Sequence, residues 1–364
     1  MRYAVIILCL LLSSFFYPEV GRAKPGVSAN NAVLMEQSSG RVLVNKGAHD
    51  KQPIASITKI MTAIIAIESG KLNETVTVSE RAVQEIGSSI YLEKGEKIKL
   101  EDLVYGLMLR SGNDAAVAIS EHVGGSMEGF VHLMNKKARW LGMTNTSFDN
   151  PHGLDSEDHY STAYDMALLM RYAMNNEQFR EITKTENFKS ENRAYSWQNK
   201  NRLLTQLYEY CIGGKTGYTK TAGRTLVTAA KKNDMTLIAV TLNGPDDWND
   251  HIGMFEWGFE KYDMTTIDNR GKTKYNLNGS DNNAIGYLHH DIVLPLKENE
   301  QTAIESKSYI LNNAPETTDE VIGKTIYFIN SKPVMETPIY SEQNWNDYFF
   351  ENILTVYQRI IGLK

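Results

Sequence analysis

With 364 residues the chain can form one large domain and a smaller one, because single cores stop growing near ~250–300 residues. Hydrophobic residues make up 42% and charged residues 23%, close to globular averages, which excludes a disordered or fibrous chain. A net charge of −6 without a basic cluster excludes nucleic acid as a partner.

The first 23 residues read as an export signal. Arg2 gives a minimal positive start, Tyr3 to Phe16 an apolar stretch, and Gly21-Arg22-Ala23 small residues at the −3 and −1 positions of a cleavage site. The stretch is shorter than the ~20 apolar residues of a membrane span, although an uncleaved anchor is the alternative. Cys9 follows Ile6-Ile7-Leu8, which lacks the small residues of a lipoprotein site, so it counts as a hydrophobe. Cleavage leaves Cys211 alone, unable to form an internal disulfide and expected to be a buried structural thiol. No Cys/His cluster has zinc-ligand spacing, so no metal is expected.

Asn31 to Val44 alternates apolar and polar residues around Ser38-Ser39-Gly40, which predicts an opening hairpin. From Ile54 to Ser69 the period becomes helical and closes at Gly70. Leu103–His122, Ser126–Leu141 and Thr162–Asn175 repeat that signal, and strands return at Leu226–Ala230 and Leu237–Leu242. This order predicts an α/β (α+β) domain with helices packed on an antiparallel sheet. Composition shifts after Tyr262, and the polar, turn-rich stretch from Asp268 to Asn283 reads as a boundary. The runs Ile292–Leu296, Ser308–Leu311, Thr325–Ile329 and Val334–Ile339 then predict a small all-β domain. Asn344 to Lys364 plots as an amphipathic helix with Asp347, Glu351, Thr355, Gln358 and Gly362 on a narrow polar strip. Such a helix lies on a membrane surface or docks on its own domain. The expected division is 1–23 signal, 24–265 catalytic domain, 266–342 all-β domain and 343–364 surface helix.

Three short motifs carry chemistry. Ser56-Ile57-Thr58-Lys59 puts a lysine one helical turn from a serine, so Lys59 can stand beside the Ser56 hydroxyl. Burial among Ile57, Ile60 and Met61 would lower its proton affinity and let it accept the proton as Ser56 attacks a carbonyl. Ser111-Gly112-Asn113 sets a hydroxyl and a carboxamide two apart on a glycine turn. Ser111 can relay a proton between Lys59 and a leaving amine, and Asn113 can hydrogen-bond substrate. Lys215-Thr216-Gly217 offers a cation and a hydroxyl to a substrate carboxylate on a strand whose glycines admit close approach. Gly-Lys-Thr also occurs in phosphate loops, but the upstream glycine such a loop needs is missing. His152, His159 and Asp155 tempt toward a triad, yet Lys59 already supplies a base, and His152 reads as support for a loop beside the site.

In this order the motifs are the set of penicillin-binding proteins and class A β-lactamases. The wording around them, Ile54 to Thr62, Leu109 to Ala115, Asn150-Pro151-His152-Gly153-Leu154 and Gly214 to Thr219, resembles the low-molecular-mass D-alanyl-D-alanine carboxypeptidases over roughly residues 28–345. The tracts Gly223–Val227 and Trp248-Asn249-Asp250-His251 resemble the branch of spore-forming bacteria that acts on spore cortex. The resemblance implies a transpeptidase-like fold and removal of the terminal D-alanine from peptidoglycan stem peptides through an acyl-enzyme on Ser56. It also implies β-lactams as covalent inhibitors, a membrane-surface anchor in the terminal helix, and no cofactor. The oxyanion hole would come from the backbone N–H groups of Ser56 and Tyr218. Tyr218 departs from the histidine many relatives carry, and Lys200 and Arg202 stand where relatives place an arginine before Lys-Thr-Gly. A β-lactamase would need a Glu-x-x-Leu-Asn element that residues 114–214 lack. A DD-endopeptidase and a non-catalytic β-lactam sensor remain the other readings.

Overall fold

The computed structural model describes residues 25–191, 193–276, 283–311 and 320–341. The expected signal segment and terminal helix lie outside them. The opening hairpin pairs β1 (Asn31–Glu36) with β2 (Val42–Lys46), and the buried Glu36 carboxylate accepts from the backbone N–H and the hydroxyl of both Ser38 and Ser39 in its turn. β1 is buried along its whole length, against the alternation expected of it. Neighbouring strands cover both of its edges and a core layer covers each of its faces. Val33 and Met35 face one core, and Ala32 and Leu34 face another.

The helices follow. A 3₁₀ turn at Ala55–Thr58 runs into α1 (Lys59–Glu68). Asn113–Gly124 forms α2, Met127–Trp140 α3, Ala163–Ala173 α4 and Glu177–Lys184 α5. Ser126, Thr162 and Asn176 cap α3, α4 and α5, each side chain accepting a backbone N–H three residues on. The helix-rich stretch from Leu103 is broken at Ser111, where a π-turn (Gly106–Arg110) ends.

Strands β3 (Cys211–Thr219), β4 (Gly223–Lys232) and β5 (Met235–Leu242) then complete an antiparallel sheet in the order β2-β1-β5-β4-β3. Its layers follow from period-2 alternation. Val227, Ala229, Ile238 and Val240 pack on α1, α2 and α4, while Ala230, Leu237 and Ala239 pack on α6 (Asp247–Lys261). Strand β3, which holds Lys-Thr-Gly, is the sheet edge.

Beyond α6 the regular structure of the described residues is β apart from one 3₁₀ turn, Glu298–Ala303. β6 (Asp263–Asp268) pairs with β9 (Ile292–Leu296), and β7 (Gly271–Asn276) with β8 (Asn283–Leu288). β6 and β9 form a two-stranded sheet by themselves, while β7 and β8 join β10 (Ile304–Ile310), β11 (Val321–Ile329) and β12 (Lys332–Tyr340) in a second five-stranded sheet of order β7-β8-β12-β11-β10. The polar stretch read as a boundary thus contains β7, where Lys272 and Lys274 alternate with Thr273 and Tyr275. Arg41, from the first hairpin, joins the two parts by donating to the Pro295 carbonyl and pairing with Glu300 at 2.8 Å.

Candidate active site

Ser56 stands in the 3₁₀ turn, just before α1, and Ala55 ahead of it takes the left-handed conformation (φ 50°) that a residue with a Cβ avoids. Three contacts hold that turn. The Thr225 hydroxyl donates to the Ile54 carbonyl at 2.9 Å, and the Thr58 hydroxyl donates to the Ala55 carbonyl at 2.8 Å. Gly153 (φ 89°) lies so close to the same Ala55 carbonyl that a Cβ would collide with it.

Lys59 is fully buried and its Nζ reaches three oxygens: Ser56 Oγ at 3.0 Å, Asn113 Oδ1 at 2.7 Å and the His152 carbonyl at 2.5 Å. Burial first, and then the nearby Lys215 and Lys200 charges, hold its proton affinity well below the ordinary lysine value. A neutral amine has two N–H groups for Asn113 and His152, and one lone pair to accept the Ser56 O–H. The same geometry therefore serves a base.

The second motif is built differently from its sequence reading. The left-handed residue is Ser111 (φ 66°), not Gly112, whose value comes from close packing against Asp114 and Ile90. Ser111 lines the cleft. Asn113 does not, because its Nδ2 donates to the Ile86 carbonyl at 2.6 Å while its Oδ1 takes the Lys59 bond. Asn113 thus bridges Lys59 and the Ile86 carbonyl. Buried Asp114 fastens the loop overhead by accepting from Ser89, Ile90 and Leu92.

Strand β3 passes beside the nucleophile at Gly217, where an added Cβ would lie 2.9 Å from Ser56 N and 3.1 Å from Ile57 N. Thr216 and exposed Tyr218 line the cleft with Gly217. Lys215 stands on the same strand face as Gly217, and its charge acts on Lys59. It is 2% exposed, its ammonium donates to the Thr216 carbonyl at 2.8 Å, and burial lowers its pKa to about 7. The remaining wall of this cleft of about 320 Å³ comes from Ser88, Lys200, Arg224, Asp247 and Trp248. Arg202 is held by Gln206 outside that wall.

The histidines form no triad. His152 contributes its backbone carbonyl to Lys59, and burial and the Lys59 charge lower its ring to about 3. His159 Nδ1 accepts from Asp149 N, so its other nitrogen donates to Thr58 Oγ1 at 2.8 Å, and burial lowers it to about 4. Asp155 accepts from Thr219. Cys211 is buried at the start of β3, with its thiol pushed up to about 11 by burial, as an inert thiol would be. Sequence reasoning missed Asp247 and Arg224 as cleft residues. They sit on different elements, and no spacing rule links a strand to a later helix.

Residues 19–246 match the family described as D-alanyl-D-alanine carboxypeptidase, and residues 259–346 match the C-terminal domain of penicillin-binding protein 5. The chain is 40% identical over 256 residues to D-alanyl-D-alanine carboxypeptidase DacF of Bacillus subtilis, spanning 67% of this chain and 66%, just under two thirds, of that protein. It is 30% identical over 338 residues to DacA of Haemophilus influenzae, spanning 87% and 85%. The crystal structure of penicillin binding protein 5 from Haemophilus influenzae covers 89% of this chain and 99% of its own, with a TM-score of 0.76 at 28% identity.

Proposed function

The chain belongs to the D-alanyl-D-alanine carboxypeptidase family, and from that premise we propose that it removes the terminal D-alanine of peptidoglycan stem pentapeptides through an acyl-enzyme on Ser56. The observation that carries this reading is Lys59, buried, depleted of proton affinity and 3.0 Å from the Ser56 hydroxyl. Lys59 takes that proton as Ser56 Oγ bonds to the carbonyl carbon of the penultimate residue. The Ser56 and Tyr218 N–H groups receive the oxyanion at the meeting of the 3₁₀ turn and strand β3. As the C–N bond breaks, the proton passes through Lys59 and Ser111 to the departing amine of D-alanine. Water then hydrolyses the ester and restores Ser56. Thr216 and Gly217 line the substrate side, and buried Lys215 raises the potential beneath it.

The remaining proposals concern setting. Residues 1–23 export the chain, 24–265 form its catalytic domain, 266–342 its all-β domain, and 343–364 a helix lying on the outer face of the cytoplasmic membrane. The tracts at Gly223–Val227 and Trp248–His251 support a role in cell-wall or spore-cortex cross-link control. Truncation before Asn344 should move the protein from the membrane fraction to the soluble one.

The decisive assay is release of D-alanine from diacetyl-Lys-D-Ala-D-Ala. Release should be blocked by penicillin, and Ser56→Ala should abolish both turnover and covalent labelling. Labelling that persists on another residue would refute the assignment.

A further inference from the structure

The helices carry a second concave face, away from the Ser56 cleft. It is a groove of about 580 Å³ between α3 and the last turn of α1, at the far end of that helix from Lys59. Its walls follow from helical spacing. Phe130, Met134 and Ala138 turn one face of α3 into the core. Leu133, Lys136, Lys137 and Trp140, spaced i, i+3, i+4 and i+7, line the groove on the neighbouring face. Across from them α1 contributes Ile65 and Glu68. The apolar floor is recessed, with Ile65 buried and Val123 and Leu133 half-buried.

Trp140 is the last residue of α3 and 68% exposed. Leaving so large an apolar ring in water is unfavourable unless a ligand covers it. The ring is nonetheless held in place. Tyr172 meets it edge-on with centroids 5.3 Å apart, and Lys137 Nζ lies 4.9 Å from its centre. Glu68 Oε2 pairs with that ammonium at 2.6 Å, and the Tyr172 hydroxyl donates to Glu68 Oε1. Four side chains from three helices thus fix a flat aromatic surface that stays open to solvent. Because Glu68 neutralises Lys137, the charge of the groove is that of Lys71 and Lys136 on its walls. Neither ammonium has a hydrogen bond, ion pair or ring contact among the described residues. The groove is therefore positive in a chain whose net charge is −6.

An open, pre-set ring beside free cations suits a chain of flat-faced polar rings that carries anions. We propose that this groove binds the glycan strand of peptidoglycan, with an amino-sugar ring stacked on Trp140 and stem-peptide carboxylates meeting Lys71 and Lys136. The inference rests on the peptidoglycan reading above and adds a second site to it. A sugar presents C–H groups to the face of the indole and keeps its hydroxyl and acetamido groups at the edge, within reach of Glu68 and the lysines. A bilayer, the other anionic surface, needs apolar side chains that protrude, and of those in the groove only Trp140 does. The groove and the cleft share no residue, so both can be filled at once. Holding the polymer here raises the local concentration of stem termini at Ser56 without altering the chemistry.

The test is sedimentation of the penicillin-acylated mature chain with purified insoluble peptidoglycan, because the antibiotic closes the cleft and leaves the groove to bind. Wild type should pellet in a saturable, salt-sensitive way. Trp140→Ala should weaken binding about 10-fold, and Trp140→Phe should recover part of it. The double variant Lys71→Glu, Lys136→Glu should weaken it at least as much. On diacetyl-Lys-D-Ala-D-Ala each variant should keep kcat/KM within about twofold of wild type, which also shows that it folds. Unchanged pelleting in Trp140→Ala and in the double variant would overturn the proposal. So would a loss confined to phosphatidylglycerol vesicles, which would make the groove a membrane contact. A wild-type dimer that Trp140→Ala dissolves while pelleting is kept would make it an interface between copies, and would overturn the proposal too. If Trp140→Ala does not fold, the double variant decides. A wild type that neither releases D-alanine nor takes up penicillin would strike the carboxypeptidase reading itself, whereas release with unaltered pelleting in the variants would strike only this one.

Discussion

At the scale of single residues, the site is organised around two lysines that folding has stripped of water. Lys215 sheds its proton near pH 7 in the native state but near the ordinary lysine value of 10.5 when unfolded. Between those values the unfolded chain binds more protons than the native one, so stability should rise with pH across that window, and the full penalty applies below it. Lys59 acts in the same direction, its proton affinity also being depressed. Lys215→Met should therefore raise the melting temperature at pH 7 by a few degrees and flatten the pH dependence of stability above it, while impairing turnover. A melting temperature several degrees lower would show that the buried amine stabilises the fold. The same depression of Lys59 places the acid limb of the kcat/KM profile well below pH 10.5, and Lys59→Arg, which cannot deprotonate, should abolish acylation at every accessible pH.

At the scale of elements, function depends on how tightly strand β3 runs past the turn that carries Ser56. Gly217 makes that passage possible. Gly217→Ala should cut acylation by about 100-fold or more with a melting temperature changed by only a few degrees, since the strand ladder itself survives. Unchanged penicillin labelling would mean the turn can retreat. The three motifs were legible in sequence because each is local. A serine and a lysine one turn apart must neighbour each other on a helix, and order along the chain completes the set. The left-handed Ser111 was not legible. Gly112 beside it is the obvious candidate for that conformation, and the π-turn that forces it onto Ser111 leaves no compositional trace. The commitment of Asn113 to Lys59 was hidden for another reason: which way a carboxamide points is settled by the Ile86 loop, packed onto it from elsewhere. The hairpin and helices were read correctly where one face meets water. The alternation over Asn31–Val44 marked the hairpin, but not that β1 is buried along its whole length, because the layers packed on its two faces come from helices far along the chain.

At the scale of the whole molecule, the first hairpin does two jobs. Its turn grips the all-β part through Arg41, which is stacked on Tyr262 and paired with Glu300. Arg41→Ala should loosen that junction and lower the melting temperature by a few degrees, leaving kcat/KM on a soluble tripeptide within about twofold of wild type. A kinetic loss beyond about tenfold would show that the β part acts on the cleft. The same hairpin forms the end of the catalytic sheet opposite β3, joined to it through β1 and β5. Asn31 pairs with Leu242 and Glu36 with Leu237, while the intervening chain supplies every helix from α1 to α5. The earliest strand to leave the ribosome thus waits for the latest before its second edge is covered. Local helices can form within microseconds, but closing a loop of about 200 residues is slow, and until then β1 presents an apolar, unpaired edge. Under the export proposed above, the chain would emerge amino terminus first, and this topology would set the time of greatest danger. The hairpin must be kept from other chains until the last strand of the sheet has come through, and only then do Ser56 and Lys-Thr-Gly come within reach of each other.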